Sequence, residues 1–102
     1  MPRYKLTDDA REDVREIKKH SLKQFGSMVT REYLLGMQTC MQRLAENRQM
    51  GSDNIEALDI QGLRYFPYMS HAIYYLFAPH GITIVGVLHQ SRLPNILRQR
   101  RL

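Results

Sequence analysis

Two apolar runs close to the C-terminal end constrain the fold most: Ser70-His71-Ala72-Ile73-Tyr74-Tyr75-Leu76-Phe77 and Ile82-Thr83-Ile84-Val85-Gly86-Val87-Leu88-His89. Both are rich in β-branched and aromatic residues, and Ala78-Pro79-His80-Gly81 between them reads as a turn. The pair is a β-hairpin in which a four-residue turn sets Phe77 opposite Ile82. Carried along the strands, that register puts residue 70 opposite residue 89. His71, Ile73, Tyr75 and Phe77 then share a face with Ile82, Ile84 and Leu88, while Ala72, Tyr74, Leu76, Val85 and Val87 lie on the other. An antiparallel sheet usually leaves one face wet, yet both faces here are apolar. Each therefore needs a cover, and another chain is a candidate for one of them.

Upstream, residues 3–6 read as a short strand. Thr7 is placed to cap a helix whose first turn carries Asp8 and Asp9, where the helix dipole favours negative charge. Ala10, Val14, Ile17, Ser21 and Phe25 form a helical stripe that ends at Gly26, a C-cap signal. The opposite surface holds Arg11, Arg15, Lys18, Lys19 and Lys23, most simply a solvated face. Ser27 can cap a second helix with Val29, Tyr33, Met37, Cys40 and Leu44 in line, and Leu34, Met41 and Ala45 beside them. Only Gly26-Ser27 separates the two, so they form an antiparallel hairpin. The pattern breaks from Arg48 to Gln61, where Asp53, Asn54, Glu56 and Asp59 are polar and Ile55, Leu58 and Ile60 can pin the segment. Leu63 to Tyr68 is a further strand, with Pro67 marking an edge or bend. Pro94 opens a terminal helix to Arg101, with Ile96 and Leu97 as its apolar residues. The order β-α-α-β-β-β-α is an α+β domain: an N-terminal strand, an antiparallel helix hairpin, a three-stranded antiparallel meander and a short C-terminal helix.

The 102 residues are expected to form one domain, residues 1–102. No run has the length of a membrane span, and Met1-Pro2-Arg3-Tyr4-Lys5 is not the start of a signal peptide, so a cytoplasmic protein without a membrane partner is expected. The lone Cys40 makes no internal disulfide, in keeping with a reducing compartment. Of the net charge of +5, residues 90–102 supply four through Arg92, Arg98, Arg100 and Arg101, with no acid among them. Such a basic tail suits nucleic acid or an acidic protein segment.

Motif chemistry is sparse. His20, His71, His80 and His89 are scattered, and no Cys-x-x-Cys or His-Glu-x-x-His spacing implies a metal. There is no glycine-rich phosphate loop, and no cofactor is implied. In the register above, His71 and His89 sit close together at one end of the hairpin but on opposite faces. With Arg64 on the preceding strand and Arg92 just after, they suit phosphate, arginine neutralising it and histidine acting as acid or base. Satisfying polar groups at the sheet end is the simpler role.

Gly62-Leu63-Arg64, Ser70-His71-Ala72-Ile73-Tyr74-Tyr75 and Val87-Leu88-His89-Gln90-Ser91-Arg92 resemble the C-terminal half of ParE toxins. These are a branch of the RelE/ParE superfamily of bacterial toxin–antitoxin systems. Tyr4-Lys5-Leu6-Thr7 with Ala10 and Asp13, then Phe25-Gly26, Tyr33 and Leu44-Ala45-Glu46-Asn47, resemble the N-terminal half. The resemblance implies growth arrest and plasmid stabilisation without catalysis: the toxin binds DNA gyrase and leaves it blocked on cleaved DNA. It also implies a ParD-type antitoxin whose disordered C-terminal half folds along the toxin, with DNA met only through antitoxin or gyrase. An amphipathic, acidic segment would cover the second sheet face and neutralise the tail. Two departures stand out: Phe25 where many members have tryptophan, and Leu93-Pro94 where many have an acid. Expected target contacts are Arg64, His89, Arg92, Arg98, Arg100 and Arg101, the last three replaceable by alanine without loss of the fold. Expected antitoxin contacts are Tyr33, Met37, Tyr74 and Leu76. The ribosome-dependent RelE nucleases are the alternative within the superfamily. Against them, residues 49–63 contain no lysine or arginine, and their acids would repel RNA phosphates. A toxin-derived module that only co-regulates its operon is the third.

Overall fold

The computed structural model describes residues 1–53 and 59–102. Its elements are β1 (Arg3–Leu6), α1 (Asp8–Glu46), β2 (Arg64–Tyr68), β3 (His71–Ala78), β4 (Gly81–His89) and a terminal 3-10 helix (Pro94–Gln99). Asn54, Ile55, Glu56 and Leu58 lie outside the described residues.

Thr7 caps α1 as its sequence position predicts, its hydroxyl accepting from the Ala10 amide at 3.1 Å. The helix is broken at Gly26, whose φ of 83° and ψ of −179° occupy a region open almost only to glycine. An unbroken helix of 39 residues would run about 58 Å. The greatest dimension of the molecule is 38 Å, so the chain folds back at the break. Ser21 and Thr30 meet across it with hydroxyl oxygens 2.7 Å apart, and Thr30 donates to the Gly26 carbonyl. The expected helix hairpin is thus made of two arms of one helical element.

The sheet order is β1-β4-β3-β2. β2, β3 and β4 form the expected antiparallel meander, while β1 adds to β4 in parallel and puts Arg3 opposite Gly81. Pro67 lies in β2, at a sheet edge where its missing N–H is tolerated.

Phe77 faces Ile82 as predicted, but the pairing slips by one residue between Tyr74 and Tyr75. Tyr75 pairs with Ile84 and Tyr74 with Gly86, so Val85 is the extra residue of a β-bulge. Beyond the bulge every side chain of β4 changes face. Val87, not Leu88, joins Ile73, Tyr75, Ile82 and Ile84 in the core beneath α1, with Ala10, Met37, Met41, Leu44 and Ala45. Leu88 joins Leu63, Ala72, Tyr74, Val85 and Leu97 on the opposite face. The slip also sets His71 directly opposite His89 rather than residue 70.

A bulge leaves backbone groups without their ladder partners. Here Asp13 and Arg100 supply them. The Asp13 carboxylate accepts from the Val87 amide at 3.0 Å, and the Arg100 guanidinium donates to the Val85 carbonyl at 3.0 Å. The two side chains also form a two-pronged ion pair at 2.6 and 2.8 Å, with 12% and 10% of their surfaces exposed. This pair ties the first helical arm, the bulge and the chain end together.

The second apolar face is covered by the chain itself. Leu97 of the 3-10 helix is fully buried there, with Ile96 and Ile60 packed at its margin. No second chain is needed over most of that face, contrary to the expectation from its composition.

Candidate functional site

The apolar stripes of the two helical arms run further than the sheet beneath them. Ala10, Met37 and Leu44 are core, but towards the Gly26 turn Phe25 is 64% and Val29 49% exposed. A groove of about 710 Å³ opens there, between the outer part of the hairpin and the His71/His89 end of the sheet. Ile17, Phe25 and Val29 line it from the helices, and Val87 and Leu88 from β4. Its polar margin holds His20, Tyr33, His71, His89 and Arg92, with Asp13 and Glu16 on the helical side.

Tyr33 organises the polar end. Its hydroxyl lies 2.6 Å from His71 Nδ1 and 3.3 Å from Ser70 Oγ, and its carbonyl accepts from the Tyr68 hydroxyl at 2.8 Å. The Tyr33 and His71 rings meet edge to face at 5.7 Å, and the His71 and His89 rings at 5.4 Å. The two histidines therefore lie on the same side of the sheet, not on opposite faces, because the bulge restores their alignment. His89 Nδ1 accepts from the Ser91 amide at 3.1 Å, which places the neutral ring's proton on Nε2.

Burial, and after it the neighbouring His89 and His20, hold the His71 pKa below its usual value of 6.5. The folded protein thus favours neutral His71 more than the unfolded chain does. The stability this supplies is complete above about pH 6.5 and is lost as the pH falls through the lowered folded value. Thermal melting is expected to fall between pH 7 and pH 5, and His71→Gln to flatten part of that fall. An equal slope in the variant would remove His71 as the source.

The sequence-derived candidates separate. His89 and Arg92 line the groove and are exposed, and Arg98 and Arg101 are exposed near the chain end. Arg100 is not with them, being committed to Asp13 and Val85. Arg64 sits elsewhere, donating to the Gln49 carbonyl at 3.1 Å and the Gly51 carbonyl at 2.7 Å, with Asp53 at 3.7 Å. Nor do the four antitoxin candidates make one surface. Tyr33 lines the groove, but Met37 is 1% exposed beneath α1, and Tyr74 and Leu76 pack on the opposite sheet face. The groove residues that sequence reasoning passed over are Ile17, His20, Phe25 and Val29. Their signal was available: both stripes are longer than an eight-residue strand beneath them can cover. Among the described residues no group of His, Cys, Asp and Glu forms a metal-holding cluster, and no helix is long and apolar enough to cross a membrane.

A helix hairpin on one face of a small mixed sheet, with an open groove at its outer end, defines an α+β class of small proteins. The model of one family, the ParE toxin of the type II toxin–antitoxin system parDE, matches residues 4–94. The chain belongs to the ParE toxin family. Among solved structures it is similar to a chain of a chromosomal ParDE toxin–antitoxin system from P. aeruginosa, with a TM-score of 0.71 and 15% identity. That alignment covers 87% of this chain and 96% of the other, a likeness of fold. No curated protein sequence matches.

Proposed function

We propose that this protein is a cytoplasmic toxin that inhibits DNA gyrase by binding it and leaving it blocked on cleaved DNA. A ParD-type antitoxin neutralises it by laying an amphipathic, acidic segment into the groove. The observation that carries the antitoxin reading is the continuation of two apolar helical stripes past the sheet, which leaves Phe25 and Val29 exposed over a groove rimmed by His20, His89 and Arg92. Apolar side chains of a partner helix fill such a groove, and its acids meet the rim. The pairing is supported by family membership and by the ParDE system named for the similar structure.

The protein acts by occupancy, not by catalysis. Arg64, the arginine best suited to a nuclease site, spends its guanidinium on the 49–53 segment, and His89 lies at the other end of the sheet hairpin. His89, Arg92, Arg98 and Arg101 remain as exposed residues for contact with gyrase. Titrated into a gyrase reaction on relaxed plasmid, the protein is expected to abolish supercoiling. Full supercoiling at a hundredfold excess of protein would contradict the proposal.

A further inference from the structure

A second concave surface lies at the end of the sheet remote from the groove. Along β4 the two ends are about 26 Å apart. Met1, Arg3, Arg48 and His80 surround a cleft of about 490 Å³, and Glu46 is the only acid lining it among the described residues. The fold builds this cluster from three distant stretches of chain. Parallel pairing of β1 with β4 carries Arg3 to the β3–β4 turn, where its amide donates to the His80 carbonyl at 2.7 Å. Gly81 makes the approach possible: its φ is 140°, and a Cβ there would collide with the Arg3 carbonyl. Arg48 comes one residue after the Asn47 cap of α1, its carbonyl held at 2.8 Å by the hydroxyl of fully buried Tyr75.

Arg48 joins the cleft to an aromatic surface. Its guanidinium carbon lies 4.6 Å from the centre of the Phe77 ring, and that of Arg64 lies 5.5 Å away. Phe77 is 41% exposed although its neighbour Tyr75 on the same face is fully buried. An exposed ring beside the planar Arg48 guanidinium, opening on a cleft lined by Arg3 and Arg48, combines two recognition elements. Rings and guanidinium planes stack on nucleobases, and the cations follow the phosphates. A duplex keeps its bases stacked and offers only the second interaction. A peptide of acidic residues alone would neutralise the cleft but leave the ring uncovered.

We propose that this end of the protein binds single-stranded nucleic acid, with a base against Phe77 and Arg48 and adjoining phosphates in the Arg3/Arg48/His80 cleft. The site reaches beyond the toxin's action on gyrase: it gives the toxin a direct contact with nucleic acid, where the family resemblance implied contact with DNA only through its partners. It lies far enough from the groove for both to be occupied together. Binding there does not depend on gyrase being the target, and its assay contains no gyrase.

Fluorescence anisotropy with the purified protein and dye-labelled short oligothymidylate, oligouridylate and a duplex of equal length tests this, with polyglutamate as competitor. Tighter binding of either single strand than of the duplex is expected, and the two single-stranded probes distinguish DNA from RNA as the source. The log–log salt slope for two neutralised phosphates is about −1.4. Arg48→Ala should weaken binding and reduce the slope by about 0.7. Phe77→Ala should weaken binding about tenfold with the slope unchanged. Phe77→Leu, which keeps an apolar side chain for the fold, should show the same loss. Equal binding of duplex, unchanged binding by both Phe77 variants, equal competition by polyglutamate at matched charge, or no binding at low salt would each overturn the proposal. Phe25→Asp, at the far end, should bind oligonucleotide as the parent does. A loss there would place binding in the groove and likewise overturn it.

Discussion

Replacing Arg100 with alanine is expected to destabilise the protein by about 3–5 kcal/mol, the usual cost of removing one partner from a buried ion pair. Both side chains are nearly enclosed, and the guanidinium satisfies the Asp13 carboxylate and the Val85 carbonyl together. Without it, Asp13 is a buried charge with one amide donor left, that of Val87. For a domain of this size the melting temperature should fall by more than about 10 °C, while Arg101→Ala should leave it nearly unchanged. An apolar double replacement of Asp13 and Arg100 should not restore stability, because the bulge groups at Val85 and Val87 would stay orphaned at about 1–3 kcal/mol each. An unshifted melting temperature for Arg100→Ala would show that the pair contributes nothing to the fold. Because Arg100 is bonded to Asp13 and Val85, the three arginines Arg98, Arg100 and Arg101 are not exchangeable tail charges, contrary to the expectation from sequence. Alanine at all three would lose toxicity through unfolding, so Arg92, Arg98 and Arg101 are the informative set.

Phe25→Asp is expected to weaken antitoxin binding by a hundredfold or more. An exposed aromatic at the edge of an apolar groove has the character of an interface anchor, and such anchors contribute 2 kcal/mol or more on truncation. A carboxylate adds the cost of burying a charge in the bound state and repels an acidic partner. Because Phe25 is 64% exposed, the free protein should melt close to the parent temperature. Titration calorimetry with the cognate antitoxin checks the affinity, and circular dichroism the fold. Retained affinity in a folded variant would exclude the groove as the docking surface. A variant that still arrests growth but is no longer rescued by antitoxin would separate the groove from the target contact.

The fold was legible where local chemistry decides it. The hairpin turn, the Thr7 cap, the break at Gly26 and the edge position of Pro67 each follow from residues a few positions apart. What the sequence concealed depends on distant partners. The bulge falls in Val85-Gly86-Val87, where either register leaves an apolar residue on each face, so alternation cannot detect the slip. What fixes it is Asp13 and Arg100, 87 residues apart in the chain. The slip in turn decides that Val87 rather than Leu88 is in the core below α1, and that His71 and His89 meet edge to face. The second sheet face looked unpartnered because the cover, Leu97 with Ile60 and Ile96, comes from short segments with weak patterns of their own. Of the residues that line the groove, Tyr33 was named from sequence for antitoxin contact, and His89 and Arg92 for target contact. Met37, from a helical stripe, and Tyr74, from the second sheet face, both turn out to be core. Phe25 and Val29 were assigned to the helical stripes without the observation that the sheet stops short of them.

The proposed mode of action is a halt of gyrase on cleaved DNA by binding alone. Its most direct measurement is a plasmid cleavage assay with purified gyrase and ATP, titrated with the protein and stopped with detergent, in the presence and absence of antitoxin. Linear plasmid that rises with the protein, falls when antitoxin is added first, and is absent when gyrase is omitted is the predicted result. Intact plasmid with normal supercoiling throughout, from protein shown to be folded, would contradict it.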